Sequence, residues 1–121
     1  MADYIFPFEK LDVWQKSKDF MLQIYKVTTG FSDSEKFGLV SQLRRAAVSI
    51  SSNIAEGPSR TSSNEQGRFY VIAYSSAVEV LNQLIISHEL QFIDEVIYRK
   101  LRTEIEHITS MLNRLHKATQ S

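Results

Sequence analysis

The chain of 121 residues contains no cysteine. That removes disulfides, a thiolate nucleophile and cysteine-ligated zinc or iron–sulfur centres together. Two prolines and four glycines leave little punctuation, which suits a few long helices better than many strands and turns. Neither sign of charge is in excess. Lys and Arg number 14, as do Asp and Glu, whereas a protein devoted to polyanions is usually basic overall. A local basic patch remains compatible with that balance. No uninterrupted apolar run approaches the roughly 18 residues of a membrane span. The start, Met1-Ala2-Asp3-Tyr4, lacks the positive charge and apolar stretch of a secretion signal. The expectation is a soluble cytoplasmic protein without membrane contact.

What is present fits one domain. Hydrophobic residues make up 43% and charged residues 23%, and a chain this long buries about two thirds of the surface its unfolded form exposes. Residues 1–11, with Pro7 and the aromatics Tyr4, Phe6 and Phe8, read as a short irregular N-terminal arm. Asp12 with Gln15 resembles a capping box, opening a helix over about 12–29 that Gly30 could close in a left-handed conformation. Ser32 with Glu35 forms a second box, for a helix over about 33–57 that Pro58 stops. Ser62/Glu65 and Ser63/Gln66 both fit a third, over about 63–91. Asp94 is the expected cap of a helix over about 95–118.

Apolar residues recur inside these segments at spacings of three and four. The rows are Val13, Phe20 and Val27 beside Trp14, Met21 and Ile24, and then Val40, Leu43, Ala47, Ile50 and Ile54. Tyr70, Ala73, Ala77, Leu81, Leu84 and His88 form the third. The fourth is Tyr98, Leu101, Ile105, Ile108, Leu112 and Leu115. With short connections, consecutive helices must be antiparallel neighbours. The predicted fold is all-α, an antiparallel up-and-down four-helix bundle. Off the main rows, Ala46, Ser49, Ser52 and Asn53, then Phe69, Ile72, Ser76, Val80 and Gln83, form uncharged second rows. They mark either a subunit interface or the most buried helix pair of the bundle.

Chemistry is sparse. A di-metal bundle needs two Glu-x-x-His motifs, and Glu104–His107 is single. No G-x-S-x-G, S-x-x-K or glycine-rich phosphate loop occurs. The expectation is a protein that is not an enzyme, with no catalytic residue, metal or cofactor. The one dense polar stretch is Gln42 to Gly57. There Gln42, Ser49, Asn53 and Glu56 share a helix face, with Arg45 at its edge. One reading is a buried hydrogen-bond network that sets helix register or an interface, with Arg45 paired to Glu56 or Glu79 of the same or a neighbouring subunit. The other is a nucleic-acid surface centred on Arg44, Arg60 and Arg68 with Lys36. Lys36 to Arg68 holds five basic residues against two acidic ones.

Leu11-x-Val13-Trp14-Gln15, Glu35-x-Phe37-Gly38-Leu39 and the stretch from Gln42 to Gly57 together resemble the four-helix bundle family of 23S rRNA-intervening-sequence proteins. Phe69, Ala73, Ser76 and Glu79 look like that family too. The resemblance spans about Phe8 to Leu115, with Ser32 where the family usually has proline. It implies a left-handed bundle that assembles into homo-oligomers, with pentameric rings known. The chain is similar also to the accessory proteins of diversity-generating retroelements, which bind nucleic acid and are strongly basic, as this chain is not. No catalytic residue is implied. Two roles follow as expectations. One is an oligomeric module that binds RNA or DNA weakly through Arg44, Arg60 and Arg68. The other is a scaffold that recruits a protein partner without touching nucleic acid.

Overall fold

Ser62 and Asp94 start the two longest helices in the computed structural model, which describes residues 2–120; Met1 of the expected arm and Ser121 lie outside it. The Ser62 hydroxyl accepts the Glu65 N–H at 3.1 Å and an Asp94 carboxylate oxygen accepts that of Ile97 at 2.8 Å. Each satisfies a first-turn donor that the helix itself cannot. The helices are α1 (Asp12–Thr28), α2 (Ser41–Glu56), α3 (Ser63–Glu89) and α4 (Glu95–Ala118). Each packs antiparallel on the next and α4 closes back on α1. Among the described residues there is no strand.

The two other expected caps are made differently. Leu11, not Asp12, precedes α1 and supplies no side-chain acceptor, and Gln15 instead donates to the Glu9 carbonyl at 2.9 Å. That bond ties the arm to α1. The arm itself is extended and then coils into a 3₁₀ turn over Pro7–Lys10, its Phe8 ring edge-on to Trp14 at 4.9 Å. Gly30 does not adopt the left-handed conformation; Gln91, in the turn after α3, does, at φ 65°. The segment expected as one helix from residue 33 begins as a 3₁₀ turn (Asp33–Glu35) and a π-turn (Lys36–Val40) before α2. The Ser32 hydroxyl bonds Ser34 rather than capping.

The apolar rows converge as their spacing requires. Phe20, Ile24, Leu43, Ile50, Ile54, Leu84, Leu101, Ile105, Ile108 and Leu112 are fully buried. Small residues set the α2–α3 distance: Ala46, Ala47, Ala73 and Ala77 are buried between them, which lets the two backbones approach closely. In α3 the polar or small members of the second row, Ser76, Val80 and Gln83, are buried inside this one chain. On those residues the reading as a buried helix pair prevails over an interface.

One expectation about composition needs correcting. α3 is long and apolar enough, by those two measures alone, to cross a membrane. Polar residues such as Ser75-Ser76, Glu79 and Asn82-Gln83 interrupt it, so no long apolar run announces it. In this fold it is the bundle's core helix on one side only. Its other side carries exposed Val71, Ile72, Val78, Ile85, Ile86 and Leu90.

Candidate functional site

The polar row of α2 faces the α2–α3 groove. Ser49 and Ser76 share a hydrogen bond at 2.9 Å across it. Asn53 is half-buried and donates to the Ser49 carbonyl and hydroxyl, one turn back on its own helix. Gln83, almost wholly buried, reaches Gln42 and Glu79 by long contacts of 3.4 Å, and its Oε1 has no partner. These bonds are short-range and shallow, and they do not include Arg45 or Glu56. Gln42, Glu79, Glu56 and Arg45 are all exposed. Glu56 pairs with Arg60 at 2.9 Å, and within this chain neither Glu56 nor Glu79 pairs with Arg45 among the described residues. Among the described residues Arg45 has no ion pair.

The four cations expected to form one nucleic-acid surface are separated by the antiparallel chain path. Lys36 and Arg44 lie at the end where α1 finishes and α2 starts. Arg60 and Arg68 lie at the other end, with α2 running between. From Arg44 to Arg60 the rise along the helix is about 24 Å at 1.5 Å per residue. Arg44 is also half-committed. Its Nε donates to Thr28 Oγ1 at 2.9 Å and Nη2 to the Tyr25 carbonyl at 3.2 Å, and its guanidinium stacks 4.6 Å from the Tyr25 ring centre. It thereby adds a donor to the Tyr25 carbonyl, which also accepts the Thr29 N–H. Arg60 sits 4.6 Å over Phe69 while it holds Glu56. Arg68 and Lys36 are exposed and, among the described residues, free of ion pairs.

At the end that holds Lys36 the structure brings forward a residue that the helical rows passed over. Phe37 is 89% exposed, the most exposed large apolar side chain described, and lies within the π-turn. The turn is kinked at Gly38, whose φ −106° and ψ −106° are not helical. Lys36 Nζ stands 5.7 Å from the Phe37 ring centre. The available signal was its place off the buried row led by Val40.

Elsewhere, Glu104 is only partly shielded from water. It is half-buried between α1 and α4, accepts from Gln23 at 3.0 Å, and its second oxygen is buried without a partner. A cavity of about 130 Å³ opens there beside Lys16, Asp19 and His107. Among the described residues no three His, Asp or Glu side chains converge as a metal site would need. Near the α3–α4 turn, His88 stacks on Tyr98 at 4.4 Å and bonds Glu95 at 2.8 Å. The Arg99 hydrogen bond, aided by the charges of Arg99 and His88, outweighs desolvation and holds the Glu95 carboxyl below its usual value. Tyr98 and Glu106 raise Arg102, and burial raises Tyr70.

The profile of the 23S rRNA-intervening sequence proteins matches residues 9–114. The chain belongs to that family. Among solved structures it is similar to a protein of unknown function from the S23 ribosomal protein family of Bacteroides thetaiotaomicron VPI-5482. The identity is 24%, with 87% of this chain and 98% of that one covered and a TM-score of 0.79. At that identity the likeness shows the fold. No curated protein matches the chain. Within the family segment, the stretch from Gln42 to Gly57 supplies part of the α2–α3 contact. Ala46 and Ala47 close the α2–α3 contact and Ser49 links the two helices.

Proposed function

We propose that the chain is a non-catalytic homo-oligomeric scaffold whose copies meet through the outer face of α3. One observation carries the reading. From Phe69 to His88 the only Lys, Arg, Asp or Glu is Glu79, although Val71, Ile72, Val78, Ile85 and Ile86 on that span are exposed. A helix that met only water would carry Lys and Glu there. The face favours a second protein helix over lipid, because Ser75, Glu79 and Asn82 interrupt it. A packed helix can satisfy such groups, and a hydrocarbon layer cannot. The occupant is a second copy, in line with the homo-oligomers that the sequence resemblance implies, and a ring of five is the stoichiometry that resemblance supports. A single nucleic-acid surface is less well supported, since Lys36 and Arg44 lie a bundle length from Arg60 and Arg68.

The test is light scattering of the purified chain at micromolar concentration, beside flotation with lipid vesicles. A stable multiple of 13.9 kDa that Val78→Glu with Ile85→Glu reduces to one copy, with helicity retained, supports the proposal. A 13.9 kDa species at every concentration overturns it, leaving the face for a different protein. Flotation of the wild-type chain with vesicles overturns it in favour of a membrane surface.

A further inference from the structure

The segment Glu35–Leu39 carries part of the family resemblance, yet a scaffold has no use for a phenylalanine held in water. Phe37 holds its ring out in water, a flat apolar surface open to contact. Beside it, the turn between α1 and α2 borders an open depression of about 200 Å³. Its polar wall is Thr28, Thr29, Ser32, Asp33, Lys36 and Arg44. Two of these are cations and one is an acid, so the depression is net positive in a chain that is neutral as a whole. Thr29 already donates to the Tyr25 carbonyl at 2.9 Å, which leaves the cations as the principal free donors. Lys36 has no ion pair among the described residues. Arg44 is held in place through Nε and Nη2, and Nη1 remains unengaged. A fixed guanidinium with a free edge is a preorganised anion donor.

Lys36 joins the two features, because it lines the depression and also stands over the Phe37 ring. An anion in the depression would therefore have a flat apolar face within reach on its solvent side. A phosphate carrying a planar base matches both parts, since every base has a face that stacks on an aromatic ring. We propose that this end of the bundle binds a nucleotide unit of single-stranded nucleic acid, phosphate between Lys36 and Arg44 and base on Phe37. Base-paired duplex is excluded, because its bases are already stacked. Arg60 and Arg68, a bundle length away, take no part. The site does not depend on oligomerisation; an assembly would present one copy of it per chain.

The test is fluorescence anisotropy of the full chain with a labelled single-stranded oligouridylate, with uridine monophosphate, inorganic phosphate and a duplex of equal length as competitors. The single strand is expected to bind, the duplex to compete poorly, and the affinity to fall with salt. Phe37→Ala should weaken binding roughly five- to a hundredfold, the range for one lost stacking contact, while Phe37→Trp retains it. Lys36→Gln should weaken it and flatten the salt dependence, and Arg60→Ala should change nothing. Phe37 and Lys36 are exposed, so circular dichroism should show these variants folded. Competition by the monophosphate as well as by the strand would assign the site to free nucleotides and keep its chemistry. Competition by inorganic phosphate at the same concentration as the monophosphate overturns the base contact. So does affinity unchanged by Phe37→Ala, equal competition by duplex, or no binding by the wild-type chain.

Discussion

Gly57 lies so close to Tyr70 that a Cβ built on it would meet Cζ of the ring at 2.7 Å and Oη at 2.9 Å. Tyr70 is buried, so its ring has no solvent to retreat into. The glycine is required for proximity of α2's end to α3 and not for its backbone angles, since no glycine among the described residues has positive φ. Gly57→Ala should therefore cost about 1–3 kcal/mol through overpacking, read as a lower denaturant midpoint with an unchanged slope. Gly30→Ala is the contrast. Its Cβ would meet only the Val27 carbonyl, at an ordinary 3.6 Å, and stability should stay within about 0.5 kcal/mol.

The Ser49–Ser76 bond is the shortest polar link between α2 and α3. Ser49→Ala leaves the Ser76 hydroxyl without this partner, whereas Ser76→Ala leaves the Ser49 hydroxyl accepting from Asn53 alone. A double-mutant cycle should return a coupling of about 0.5–1.5 kcal/mol. Strict additivity would show that the hydroxyls bond water instead.

Asn53 bonds only within α2, so Asn53→Leu abandons no group of another helix. Chemical denaturation should place it within about 1 kcal/mol of the parent. A much larger loss would mean that the side chain reaches across the groove.

Arg44 holds the end of α1 through Thr28 Oγ1 and the Tyr25 carbonyl. Arg44→Ala should cost about 1–2 kcal/mol, and Arg44→Lys should recover little, because an ammonium cannot make both bonds in the guanidinium's fork. Amide exchange in the last turn of α1 should rise in both variants.

Glu95 supplies a pH dependence whose sign is set by its depressed folded-state pKa. Its contribution is present above the ordinary carboxyl value of 4.5 and is lost as pH falls through the lower folded value. Urea unfolding between about pH 6 and about pH 3 should show Glu95→Gln flattening part of the acid limb. The change should be small, because the pair is solvated. Equal acid slopes in both proteins would show that Glu95 has the same pKa folded and unfolded.

Local and periodic information determined much of this protein from sequence alone. Spacings of three and four among Val40 to Ile54 and Tyr98 to Leu112 state which side of each helix must leave water, and Ser62 and Asp94 announce helix starts because a cap acts within three residues. The bundle and its buried rows follow from those two facts. Tertiary structure decided what depends on neighbours distant in sequence. Asp12 and Ser32 look like caps, but the bond from Gln15 to Glu9 and the π-turn at Lys36 satisfy or reroute the backbone first. Gln42, Ser49 and Glu56 share a face at helical spacing, yet only packing against Ser76 and Gln83 sets how deep each lies. Arg44 and Arg60 are neighbours in composition and stand at opposite ends in space, because an antiparallel helix of 16 residues lies between them. Whether an apolar residue finds cover is likewise a question of partners, which is why Ile54 is buried and Phe37 stands in water.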